Sequence, residues 1–129
     1  VEPILEILAA RFGPDGVFVR VLLARLNAKS EIKPHVDKGY SLINCNRIHI
    51  PIITNDEVIF SVGGVSQSLA SGEIWEINNA DVHAVTNASE HARVHLIVDW
   101  TPRETLLKEK KPFRMDLPMF YQSDLRLAN

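Results

Sequence analysis

Between residues 3 and 12 the apolar side chains fall at Ile4, Leu5, Ile7, Leu8 and Phe12. This spacing predicts a helix with Pro3 in its first turn and Gly13-Pro14 as its stop. After Gly16 the pattern changes. The run VFVRVLLARL over 17–26 is rich in β-branched and aliphatic residues and predicts a long strand. Residues 27–33 are polar and predict a connection. From residue 34 onward, short alternating segments are separated by turn signals. Asn46–Thr54 alternates cleanly, and Val58–Val62 and Val65–Leu69 flank Gly63-Gly64, which predicts a two-residue hairpin turn. Glu73–Ile77, His83–Thr86 and Arg93–Trp100 complete the set, with a turn over Asn78–Asp81. One helix followed by roughly eight short strands, with no helix between them, predicts a mainly β fold. The expected architecture is a double-stranded β-helix, that is, a cupin-like jelly roll with an N-terminal helix.

The length of 129 residues fits a single domain over 1–129, with a core jelly roll at 17–100. Residues 101–129, punctuated by Pro102, Pro112 and Pro118, read as a tail that packs on the barrel or makes a homodimer contact. A hydrophobic share of 46% and a charged share of 23% are those of an ordinary globular chain. The formal charge of −2 offers no basic footprint, so no nucleic-acid partner is expected. Cys45 stands alone, which excludes an intrachain disulfide scaffold. No apolar run approaches the length of a membrane span, and no signal-like segment opens the sequence. A cytoplasmic setting without a membrane partner is therefore expected.

The candidate chemistry begins at His35-Val36-Asp37. In an extended segment, side chains two apart share a face, so one imidazole and one carboxylate can address a single ion. His83, at the start of a later strand, is the third candidate. Two histidines and one carboxylate on one side of a metal leave the opposite positions open, an arrangement that suits iron(II). His-x-Asp alone arises easily by chance in a chain with five histidines. Its surroundings raise it above coincidence. Arg93, His95, Ile97 and Asp99 share one face of a strand, and Arg47 and His49 share a face of another. Two readings of those faces are open: polar faces in water, or a barrel interior with fixed cations beside the metal. Arginine suits the second, because it grips carboxylates bidentately and keeps its charge. Arg20 and Arg25 lie on the early long strand, where either can face the pocket and meet a substrate carboxylate; the preferred reading of both is surface charge.

Several stretches together resemble the aspartyl/asparaginyl β-hydroxylase family of 2-oxoglutarate oxygenases, including its bacterial proline-hydroxylase-like members. They are Lys33-Pro34-His35-Val36-Asp37, Asn46-Arg47-Ile48-His49-Ile50, Gly72-Glu73-Ile74-Trp75, Val82-His83-Ala84-Val85-Thr86-Asn87 and Ala92-Arg93-Val94-His95-Leu96-Ile97-Val98-Asp99. The resemblance implies a double-stranded β-helix using Fe(II) and 2-oxoglutarate, with His35, Asp37 and His83 as catalytic metal ligands. It implies that Arg93 holds the distal carboxylate of 2-oxoglutarate and that Arg47 and His49 lie near its other end. Trp75 is expected to pack. Animal peptidyl-aspartate hydroxylases of the family carry a small residue in place of the acidic ligand, so Asp37 is similar to the bacterial branch. The implied activity is hydroxylation of an unactivated C–H of an amino-acid side chain, in a free amino acid or in peptidyl Asp, Asn or Pro, with release of succinate and CO2. The competing readings are a non-catalytic cupin-like module that binds a metal or small acid, and zinc-dependent hydrolysis, for which no general-base Glu stands out.

Overall fold

In the computed structural model, which describes residues 2–37, 45–104 and 118–126, a helix precedes two antiparallel sheets. The helix α1 spans Glu2–Phe12, with acidic Glu2 in its first turn and Arg11 in its last, each favourable to the helix dipole. Gly13 closes it at φ +89°, donating from its amide to the carbonyl of Ala9 at 2.8 Å. The strands are β1 (Gly16–Leu26), β2 (Ser30–His35), β3 (Asn46–Ile53), β4 (Val58–Val62), β5 (Val65–Gln67), β6 (Glu73–Ile77), β7 (His83–Asn87), β8 (Arg93–Pro102) and β9 (Phe120–Arg126). One sheet has the order β1-β8-β3-β6-β9 and the other β2-β7-β4-β5. Two facing antiparallel sheets of this kind make the expected jelly roll.

Alternation along the strands decides what each layer buries. Ile48, Ile50, Ile74, Leu96 and Val98 form a core with Leu8, against which Ile4, Leu5, Ile7 and Phe12 pack. The helix therefore covers the outer face of the five-stranded sheet. Leu8 is wholly buried there, a contribution of about 2 kcal/mol. Between the sheets lies a second core of Leu26, Val58, Phe60, Val62, Trp75, Ile77 and Val85. The opposite parity of β3 and β8, carrying Arg47, His49, Arg93, His95 and Asp99, looks into this inter-sheet space. All but Arg47 are buried, and Arg47 is nearly so. The polar faces are interior and do not face water.

Three local features differ from the sequence expectation. The connection expected over 27–33 is a turn only as far as Lys29, whose φ is +54°; Ser30 then opens β2. That strand lies at the edge of its sheet and is exposed along most of its length. Alternation is absent because nothing covers it, and Pro34 is tolerated because an edge strand has free donor positions. Arg20 is inward-facing and bonds Asp99, whereas Arg25 is exposed as expected. Phe120–Arg126 adds a fifth strand to the large sheet, with Met119 and Phe120 against the inter-sheet core. Lys108, Lys110, Lys111 and Arg114, a basic run in the sequence diluted by Glu109 and Asp116, fall outside the described residues. Gly63 and Gly64, at φ +55° and +84°, make the predicted hairpin turn. Among the described residues, no helix is long and apolar enough to cross a membrane.

Candidate metal centre

His35 and His83 are brought together by strand pairing. β2 and β7 run antiparallel, and His35 lies opposite His83 in the register. A bulge between Ile32 and His35 re-aims the end of the edge strand. The two rings stand 4.3 Å apart between centroids. Asp37, two residues past His35, turns its carboxylate inward until its side chain is 6% exposed. Its Oδ1 lies 3.1 Å from Nε2 of His83 and 3.4 Å from Nε2 of His35. Ligand atoms of all three residues lie within 4.8 Å of one another. Metal–ligand bonds of about 2.1 Å in adjacent positions place donor atoms about 3 Å apart, so these separations are close to what an ion needs.

The outer hydrogen bonds point the same way. Nδ1 of His35 meets the carbonyl of Lys33 and Nδ1 of His83 meets the carbonyl of Asp81, each at 2.9 Å. A carbonyl only accepts, so each Nδ1 carries a proton and each Nε2 faces Asp37, to which the His83 ring donates when it is protonated at both nitrogens. A ligating histidine is held in this way. Burial alone pushes the Asp37 carboxyl up, yet the hydrogen bond from His83, the charge of Arg47 and the amide of Asn79 bring it down to about 2. Burial likewise pulls His83 down, but its bonds to Asp37 and to the Asp81 carbonyl outweigh this and raise it above the usual value. The group that most favours a cation on the ring, the Asp37 carboxylate, is where a metal ion would take the proton's place.

A cavity of about 120 Å³ adjoins the cluster, lined by His35, His83, Arg47, His49 and Arg93 with apolar walls that include Phe60, Val85 and Ile97. Arg93 is 1% exposed, makes no ion pair among the described residues, and has a buried Nε without a partner. Burial lowers its pKa to about 10, which leaves it charged at neutral pH. A buried guanidinium without a counter-ion is costly unless a ligand supplies the anion. Arg47 also lines the cavity, but its Nε and Nη2 donate to Asp99 at 2.8 and 2.9 Å, and its Nη1 to Oδ2 of Asp37 at 3.0 Å. His49 shares its Nδ1 with Nδ1 of His95 at 3.0 Å, and both rings are held neutral. Burial and then the charge of Arg93 lower His95 to about 3; burial and then His95 itself lower His49. Trp75 packs between the sheets and bonds Glu73.

Two partners of the site were missed. Asp99 bonds both Arg47 and Arg20, and its shared face with Arg93 was the available signal. Asn79, which donates to Oδ2 of Asp37 at 3.1 Å, sits in a turn whose sequence gives no hint of this role.

Three comparisons bear on this geometry. The family model described as aspartyl/asparaginyl beta-hydroxylase matches residues 4–102. No curated protein matches significantly. Among solved structures, the protein YhaK from Escherichia coli is similar with a TM-score of 0.58 and 9% identity, covering 88% of this chain and 44% of that one. A non-heme monooxygenase, the ThoJ–Ni complex, is similar with a TM-score of 0.54 and 20% identity, covering 77% of this chain and 49% of that one. The chain thus spans less than half the length of either, and at such identities the likeness is one of fold.

Proposed function

Because the chain belongs to the aspartyl/asparaginyl β-hydroxylase family, whose model spans residues 4–102, we propose that it is an Fe(II)- and 2-oxoglutarate-dependent dioxygenase. The reaction proposed is hydroxylation of an unactivated C–H of an amino-acid side chain, in a free amino acid or in peptidyl Asp, Asn or Pro. The observation that carries this reading is a two-histidine, one-carboxylate cluster beside a small cavity lined by Arg93, a buried guanidinium with no ion pair among the described residues.

The residues fit both groups. The donor set is one that suits iron(II) and leaves coordination positions open. The cavity offers a fixed cation to a ligand carboxylate, and arginine is suited to grip it bidentately. In this reading His35, Asp37 and His83 hold the metal, and Arg93 orients the co-substrate by its far carboxylate. His49 and His95 stay uncharged at neutral pH, so they present hydrogen-bonding edges without adding positive charge. Phe60, Val85 and Ile97 give the space between an apolar wall. When bound, iron and 2-oxoglutarate supply the oxidising chemistry, with succinate and CO2 as the co-products. The substrate is proposed to be a small molecule or peptide; the net charge of −2 supports this over nucleic acid.

The test is anaerobic addition of Fe(II) and then 2-oxoglutarate, followed by exposure to oxygen. A weak visible charge-transfer band on adding 2-oxoglutarate, and succinate after oxygen, are expected. A cupin-like binding module would take up metal and acid but release no succinate. That outcome would replace the oxygenase reading.

A further inference from the structure

Asp37 is gripped from two sides. Its Oδ1 faces the two imidazoles, while its Oδ2 accepts from Arg47 Nη1 at 3.0 Å and from Asn79 Nδ2 at 3.1 Å. A carboxylate tied at one oxygen by two N–H donors cannot rotate freely, so the other oxygen stays aimed at the cluster. Yet a bare guanidinium so close would also draw charge away from the carboxylate and weaken it as a donor to a cation. The other edge of that guanidinium removes this conflict. Asp99, 0% exposed, takes Arg47 Nε and Nη2 in a bidentate pair at 2.8 and 2.9 Å. Arg20 adds a third donor to Asp99, at 3.0 Å. Asp99 is cross-strand from Arg47 in the β3–β8 register, so the backbone itself fixes the pair.

We propose that Asp99 is a positioning residue for the metal ligand: by neutralising and orienting Arg47, it makes that guanidinium a directed hydrogen-bond donor that presents Asp37 Oδ1 to the ion. The route runs Asp99–Arg47–Asp37. Arg20 shares Asp99 but, among the described contacts, does not reach Asp37. It therefore serves as the internal control: a defect that merely loosens the ion-pair network should follow from either end, whereas a positioning defect should follow only from the side that leads to Asp37.

The inference rests on the metal site proposed above and is tested without turnover, by Mn(II) titration followed by the EPR signal of free Mn(II). Asp99→Asn is expected to weaken Mn(II) binding by about 5- to 10-fold, below the 10- to 100-fold range for loss of a partner bonded directly to a metal ligand, because Asp99 acts through Arg47. Arg20→Met is expected to shift it less than about twofold, while lowering the melting temperature of the metal-free protein. Should Asp99→Asn fail to fold, Arg47→Lys takes its place, since it keeps a charge near Asp37 but loses the bidentate hold on Asp99. An unchanged affinity in the Asp99 or Arg47 variant, or an equal loss in Arg20→Met, overturns the positioning role alone. Failure of the unaltered protein to bind Mn(II) at all overturns the metal site beneath it.

Discussion

Replacing Arg93 by Met should make the ligand-free protein more stable and at the same time blind to 2-oxoglutarate. Arg93 is 1% exposed, its Nε is unpartnered, and no acidic side chain among the described residues pairs with it. The fall of its pKa to about 10 corresponds to roughly 3 kcal/mol by which the pocket disfavours the charge. Methionine keeps an apolar stem of similar reach and removes the charge, and imperfect repacking costs about 1–2 kcal/mol in return. The net gain is on the order of 1–2 kcal/mol. At roughly 4 °C per kcal/mol for a chain of this size, the melting temperature should rise by about 4–8 °C. In the unaltered protein loaded with Mn(II), 2-oxoglutarate at a hundred times its Kd should add about 2.7 kcal/mol of stability; in the variant it should add almost nothing. Scanning calorimetry of both proteins, with and without 2-oxoglutarate, measures the two effects together. A lower melting temperature for the ligand-free variant would mean that the guanidinium is a structural asset. An undiminished 2-oxoglutarate shift in the variant would mean that the anion binds elsewhere.

Other outcomes follow from the same geometry. His35→Ala should abolish metal uptake, read as bound metal per chain, yet change the unfolding free energy of the metal-free protein by less than about 1 kcal/mol, because its side chain is 43% exposed; retained metal would refute its role as a ligand. Acidification from pH 6 to 4.5 should cost stability, because His49 and His95 stay neutral in the fold while the unfolded chain takes up their protons near pH 6.5. The slope should approach about 1.4 kcal/mol per pH unit for each histidine. His83, raised above 6.5, acts in the opposite direction but only above that window. Urea unfolding across the window checks this, and a flat profile would contradict buried neutral rings. Gly63→Ala should destabilise by about 1–3 kcal/mol, since φ is +55° and a Cβ there runs into Met119 Sδ with Asp81 Oδ2 at 2.9 Å. Gly64→Ala, with open space at its Cβ, should cost less in the same assay.

The long strands were legible because β3 alternates over Arg47–Ile50 and β8 over Arg93–Leu96 and Val98–Thr101, and alternation reports two faces directly. It does not say which face looks inward. In β8 both faces are buried, one beneath α1 and one between the sheets, so Arg93, His95 and Asp99 could be grouped from sequence but not located. β2 was hidden for the opposite reason: an exposed edge strand containing Pro34 has no buried face to pattern. β9 follows Phe120 with exposed Gln122, whose Nε2 bonds Glu73 Oε2 at 2.6 Å, and exposed Asp124, so period-two hydrophobicity fades there. The triad was readable as a motif, whereas the grip of Asn79 on Asp37 depends on how a turn is threaded, and no local composition encodes that.

The pairing of His35 with His83 has a consequence for how the protein keeps its ion. One imidazole stands at the end of a solvent-facing border strand and the other on the strand inside it. An ion shared by both would act as a clasp across that border, and the apo chain would fray there first. Metal loading should then slow amide exchange along Ser30–His35 ahead of the rest of the sheet, and the escape rate of the ion would be set by how often that border peels open.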